Sequence, residues 1–392
     1  MFERKFQRIA TNGIKLNTVV EGEGPLVILL HGFPQCAFLW RHQIDPIIQA
    51  GFRVAVPDQR GYGSSDAPID VATYNIRELA NDAAGIATAL DEESFIVIGH
   101  DWGAVVAWHT ALLHEQTCKA VMALSVPYSR NPNPDNWINP PGLKGQFWYM
   151  RYFQDAGVAE THLEADIKLT LRAAFYALSA EAPDGTWMAQ VRHPDEMHLL
   201  DVLPTPSALP SWLSSGEFEY YVQFFEYCGF SGPINWYRNI AQMNTVTPEL
   251  NNKQVAQPSA FLAGSRDPVL QYGAGTDMVE TMKPQGRLLR TYRDGQAKLL
   301  GYLEDYLIAF VMVGYDGHRG WINFFAVHPD FQARFYWKQL MDNVEIGLRE
   351  LGFPKINLQI REGNDKVFSY YQKLGFVEEK RFNMGKRIEN DQ

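Results

Sequence analysis

A chain of 392 residues exceeds one ordinary domain, and 46% hydrophobic with 20% charged side chains describes a globular protein rich in aromatics at 13%. A net charge of −10 and a pI near 5.5 offer no basic face, which argues against nucleic acid and anionic membrane as partners. All of that excess lies in residues 1–290, since acidic and basic side chains balance from Thr291 onward.

The three cysteines, Cys36, Cys118 and Cys228, are far apart and show no C-x-x-C spacing, which suits reduced thiols better than a disulfide or zinc framework. Met1 to Arg8 carries charges where a signal peptide needs an apolar core, and no apolar run approaches the roughly 20 residues of a membrane span. A cytoplasmic protein with no metal and no cofactor is expected.

In chain order, Leu26–Leu30 and Phe52–Val56 read as buried parallel strands ending in loops, His31-Gly32-Phe33-Pro34 and Pro57 to Gly63. Amphipathic stretches at Leu39–Ala50 and Ile76–Leu90 alternate with them, the pattern of a parallel sheet covered on both faces. Phe95-Ile96-Val97-Ile98-Gly99-His100 is a third strand, running through Asp101 into the helical pattern Trp102-Gly103-Ala104-Val105. Small residues at Gly99, Gly103 and Ala104 allow a sharp strand-to-helix turn that lifts Asp101 above the sheet edge as a nucleophile. The bland alternative is that Asp101 only caps the helix. Ala120–Ser125 is a fourth strand, an aromatic-rich helical insertion follows to about Asn252, and the sheet resumes at Ser259–Ala263 before Gly264-Ser265-Arg266-Asp267.

Over roughly residues 3–285 these motifs together resemble the epoxide hydrolases of the α/β-hydrolase superfamily. The resemblance implies an α/β-hydrolase core at 1–125 and 253–290 with a helical cap at 126–252, and a small apolar epoxide as substrate. It makes Asp101 the nucleophile and the Phe33 and Trp102 backbone N–H groups the oxyanion donors. Phe147-Trp148-Tyr149 and Asn235-Trp236-Tyr237 are similar to the two cap motifs, which makes Tyr149 and Tyr237 the ring-opening proton donors. Each tyrosine alone reads as a packing residue; the pair, in motif, does not. Asp267 fits the acid that orients a histidine, although a turn after a strand also favours Asp. The family's histidine, expected near Asp294–Gln296, is absent, and the next histidine is His318, a candidate replacement base.

From about Tyr292 to Ile388 the chain resembles the GNAT acetyltransferases, implying a small α+β unit within 291–392. Ala309–Gly317 and Gly320–Val327 look like its antiparallel pair, Lys355–Ile360 like the next strand, and Asn364 to Tyr371 like the helix carrying a general acid, Tyr371. Too few residues precede Ala309 for the fold's first strand and helices. The coenzyme loop, Gln332-Ala333-Arg334-Phe335-Tyr336-Trp337, has aromatics at the glycine positions, where they obstruct pyrophosphate. The leading expectation is an epoxide hydrolase-type enzyme whose ester hydrolysis is in question. The alternatives are a non-catalytic chimaeric chain, a haloalkane dehalogenase, disfavoured by the tyrosine pair, and an N-acetyltransferase, disfavoured by Phe335 and Trp337. Composition leaves the oligomeric state open.

Overall fold

A computed structural model describes residues 4–128, 133–264 and 266–272, the strand backbones within 289–327, and parts of 341–378. Seven strands, β1 (Phe6–Thr11), β2 (Ile14–Glu21), β3 (Leu26–Leu30), β4 (Arg53–Pro57), β5 (Phe95–His100), β6 (Cys118–Leu124) and β7 (Ser259–Leu262), form one sheet in the order β1-β2-β4-β3-β5-β6-β7. From β4 to β7 every neighbouring pair is parallel. Every residue of β3 is buried, as a strand covered on both faces requires. The antiparallel β1–β2 hairpin, which turns at Asn12 (φ 43°) and Gly13 (φ 77°), was not expected from the sequence.

The helices follow from local signals. The stretch expected at Leu39–Ala50 divides into a 3-10 turn, Ala37–His42, and α1 (Ile44–Gln49). In α2 (Ile76–Ala89) the Asn75 side chain accepts the N–H groups of Arg77 and Glu78, and Ile76, Leu79, Ala80, Ala83, Ile86 and Ala87 form the buried face. α3 (Trp102–Leu113) is buried on nearly all sides against β3, β5 and β6, so it holds a fixed position under the sheet edge.

Between β6 and β7 lie α4 (Asp135–Ile138), α5 (Tyr149–Tyr152), α6 (Val158–Glu164), α7 (Ile167–Ala177), α8 (Leu199–Val202), α9 (Ser215–Cys228), α10 (Ser231–Arg238) and α11 (Met243–Val246). Their aromatics, among them Phe147, Phe153, Tyr221, Phe225 and Trp236, join one core with the sheet below. Among the described residues no helix is long and apolar enough to cross a membrane, and no group of three metal-ligating side chains occurs.

A second sheet, β12-β11-β10-β9-β8, comprises β8 (Leu289–Arg293), β9 (Gln296–Leu303), β10 (Tyr306–Tyr315), β11 (Gly320–Val327) and β12 (Ile356–Leu358). The antiparallel β10–β11 pair and the parallel β12 stand where the sequence places them. The front of this unit, expected from the sequence to be missing or compressed, holds two strands, β8 and β9, ahead of β10, with Arg293 opposite Gln296. Tyr371 is buried with its ring 5.3 Å from Phe376. His318, Gln332, Arg334, Phe335, Trp337 and Asn364 lie outside the described residues.

One buried ion pair fastens the loop after β4 to α2. Arg60 donates from Nε and a terminal nitrogen to the two carboxylate oxygens of Asp82, both at 2.7 Å, with the side chains 3% and 5% exposed. Removing one partner strands a buried charge, so Arg60→Ala is expected to lose about 3–5 kcal/mol of stability, read as a lower urea midpoint. Arg60→Met combined with Asp82→Leu is expected to recover most of that loss.

Candidate active site

Parallel strands align their carboxyl ends, and the loops after β3, β5, β6 and β7 therefore meet at one edge, bringing Phe33, Asp101, Ser125 and Asp267 around a single cavity. Asp101 stands at the turn between β5 and α3 with φ 54° and ψ −121°, a conformation that costs a non-glycine residue about 1–3 kcal/mol. The turn closes only because its neighbours are small. A Cβ on Gly103 would fall 2.2 Å from the Leu30 carbonyl oxygen, and one on Gly32 would fall 2.4 Å from Asp101 Oδ1. Asp101 makes no side-chain capping bond, so capping alone does not account for it.

Phe33 N–H donates to Asp101 Oδ1 at 2.9 Å, and the Trp102 N–H also binds this carboxylate. The Phe33 loop is held by His31, whose Nδ1 donates to the Gly32 carbonyl while its Nε2 accepts from Gln59 N–H at 3.0 Å. Burial lowers the His31 pKa to about 4, which keeps the ring in this neutral form. Burial also raises Asp101 to about 6, against the two N–H donors and with the Asp267 charge adding to the rise.

Tyr149 opens α5 and Tyr237 lies on α10, and both line a second cavity that reaches Asp101. Their rings meet edge to face at 5.9 Å. The hydroxyls bond sideways in this state. Trp102 holds that of Tyr237, and Tyr149 hydrogen-bonds to the hydroxyl of Tyr272, which also accepts from Trp187 Nε1 at 2.7 Å. Burial drives both pair members well above the usual phenol pKa, so each keeps its proton at neutral pH.

Arg238, the residue after Tyr237, fixes the two tyrosine-bearing elements to each other. It donates to both carboxylate oxygens of Glu160 at 2.7 and 2.9 Å and to the Phe153 carbonyl at the end of α5 at 3.1 Å. Trp236 Nε1 donates to the Arg60 carbonyl at 3.0 Å and fastens α10 to the loop after β4.

Asp267 serves its own turn by accepting Val269 N–H at 2.9 Å, and it is also hydrogen-bonded to Ser125. The turn reading of that residue thus has a structural counterpart. No histidine occurs between His198 and His318. His100, beside Asp101, lines the Asp101–Asp267 cavity, and its buried Nδ1 has no hydrogen-bond partner among the described residues. Tyr272, Trp187 and Ser125 were not anticipated, because their place in the site depends on contacts between distant parts of the chain; His100 stood in the elbow motif without an expected role.

The profile of the α/β hydrolase fold family matches residues 25–304, and that of the acetyltransferase (GNAT) family matches residues 270–376. The chain is 40% identical over 269 residues to epoxide hydrolase A of Mycobacterium tuberculosis, covering 67% of this chain and 83% of that one. The solved epoxide hydrolase A of Mycobacterium thermoresistibile superposes with a TM-score of 0.68 at 36% identity, over 74% of this chain and 91% of that chain. An epoxide hydrolase from an endophytic Streptomyces superposes at 0.67 with 29% identity, over 91% of this chain and 98% of that chain.

The Asp101 carboxyl binds its proton more tightly in the folded protein than in the unfolded chain, so its charged form penalises folding. That penalty is absent below about pH 4, grows between pH 4 and 6, and is complete above. Asp101→Asn removes it, and is expected to stabilise the protein at pH 7.5 by up to about 3 kcal/mol, with no gain near pH 4, read from urea midpoints.

Proposed function

The chain belongs to the α/β-hydrolase fold family, among its epoxide hydrolases, and from that premise we propose that Asp101 opens an epoxide by attacking ring carbon to form an alkyl-enzyme ester. One observation carries this reading: a buried carboxylate held by two backbone N–H groups shares a cavity with two protonated phenols. As the Asp101 oxygen bonds to carbon, the ring C–O bond breaks and the alkoxide takes a proton from Tyr149 or Tyr237. In this proposal residues 126–252 form the cap and residues 1–125 with 253–290 the core.

The tyrosine pair favours an epoxide over a haloalkane, because a halide leaves as an anion and needs no proton. The second half-reaction is weaker. Water must attack the ester carbon while the Phe33 and Trp102 N–H groups stabilise the developing oxyanion. Without the histidine that Asp267 would orient, general-base assistance typically worth about 10² to 10⁴ is lost. The ester therefore accumulates, unless His318 of the C-terminal segment supplies the base. That segment is assigned no acetyl transfer, on the strength of Phe335 and Trp337 in its coenzyme loop.

After incubation with an aryl epoxide, intact mass is expected to rise by one substrate equivalent, with the adduct mapped to Asp101 and absent in Asp101→Asn. The rate of adduct formation is expected to climb with pH through about 6, as Asp101 ionises, and to fall at least tenfold in Tyr149→Phe with Tyr237→Phe. Steady diol release that His318→Ala abolishes would instead assign the base to His318. Calorimetry with acetyl-CoA is expected to show no binding in the micromolar range.

A further inference from the structure

Asp101 is reached from two sides. One cavity brings it to Tyr149 and Tyr237; the other, of about 330 Å³, brings it to Asp267. At roughly 30 Å³ per water that second volume is on the order of ten waters, ample for a five-membered ring with a water beside it. Its walls combine two kinds of contact. Phe33, Phe175, Leu178 and Val269 are apolar faces on which a flat ring can stack, and Asp101 and Asp267 are carboxylates that share the space. Asp267 is aimed by the Val269 N–H and by Ser125, so an N–H from a ring in the cavity has a fixed acceptor. His100 adds a buried Nδ1 with no partner among the described residues. Trp212, 45% exposed, and Arg266, whose guanidinium binds the Ala182 carbonyl at 2.6 Å, line the outer end and leave a way in from solvent.

We propose that this cavity is a binding site for a small neutral heteroaromatic base of the imidazole class, which there activates the water that hydrolyses the Asp101 ester. The mechanistic half rests on the reading of Asp101 as nucleophile; the binding half does not. One ring nitrogen donates its N–H to Asp267, and the other accepts a proton from water as the water oxygen bonds to the ester carbon. When the tetrahedral intermediate collapses, the ester C–O bond breaks and the ring returns that proton to the departing alkoxide, giving the diol. The Asp101 carboxylic acid left behind loses its own proton to the tyrosinate formed in ring opening, so both groups are restored and the net change is epoxide plus water to diol.

Binding is read first on the free protein by saturation-transfer NMR with imidazole, which requires no chemistry at Asp101. A saturable signal that disappears in Gln35→Phe, where a ring fills the wall of the cavity away from the tyrosines, is expected; no saturable binding to the native protein overturns the proposal. Gln35 lines this cavity and its buried Oε1 has no partner among the described residues, so the substitution breaks no described side-chain bond of that atom. Loss of the preformed epoxide adduct is then followed by intact mass against imidazole concentration. The expected result is an acceleration of at least a hundredfold that saturates, follows the neutral form of imidazole and shrinks at least tenfold in Asp267→Asn. Acceleration that rises linearly without limit is bulk buffer catalysis and overturns the mechanistic half, as does imidazole-free turnover abolished by His100→Gln, which assigns the base to the protein. Saturable binding with no adduct on Asp101 leaves the site standing and refutes the nucleophile.

Discussion

A single backbone hydrogen bond, from Phe33 N–H to the Asp101 carboxylate, sets the terms for the rest of the site. A buried anion needs donors that cannot leave, and backbone N–H groups qualify only if two separate loops come together without side chains between them. That requirement places β3 beside β5 in parallel register, Leu30 opposite Gly99, so that both loops emerge at the same level. It also excludes a Cβ at Gly32 and at Gly103, and it holds Asp101 in a strained conformation. The strain is tolerable because α3 is buried on nearly every side and has nowhere to relax.

The helical insertion shares one core with the sheet, and its attachment depends on charge as much as on apolar contact. Arg238 with Glu160, and Arg60 with Asp82, are bidentate pairs in low-dielectric surroundings. Such pairs add little net stability over apolar replacements, but they tolerate only one geometry. Here that geometry joins α10, α6 and the end of α5 in one case and the β4 loop to α2 in the other, with the Trp236 indole linking the two groups. Tyr149 and Tyr237 inherit their positions from these brackets. Their hydroxyl partners, Tyr272 and Trp102, satisfy polar groups that would otherwise be buried without a bond.

What could be read from the sequence was what is encoded locally. The elbow is contained in a few consecutive residues, so Asp101 and the Phe33 loop were visible, and the two cap tyrosines stood in short motifs of their own. The Asp101–Asp267 neighbourhood was visible only through resemblance, since 166 positions separate the two. Tyr272 left no signal at all: its role depends on Trp187 and Tyr149 arriving from the helical insertion. The β1–β2 hairpin was missed although Asn12-Gly13 is a strong turn signal, because polar residues dilute the alternation in the strands around it. β8 and β9 were missed because Leu289–Leu303 mixes charge with apolar residues and resembles a linker as much as a pair of strands.

The same two strands bear on the proposal that no histidine follows the last strand of the first sheet to serve Asp101. A base that serves Asp101 from beyond the last strand of this sheet needs a loop long enough to return from the strand end to Asp267. In this chain β8 lies against β7 but hydrogen-bonds to β9, with Arg293 already paired to Gln296, so only Asp294 and Gly295 lie between the strands. Two residues are enough to reverse direction and too few to reach back across the sheet edge. The matches to the two families overlap over residues 270–304, the stretch that holds both strands. One segment is thus matched by two architectures, and the second sheet begins within the stretch where the match to the first ends.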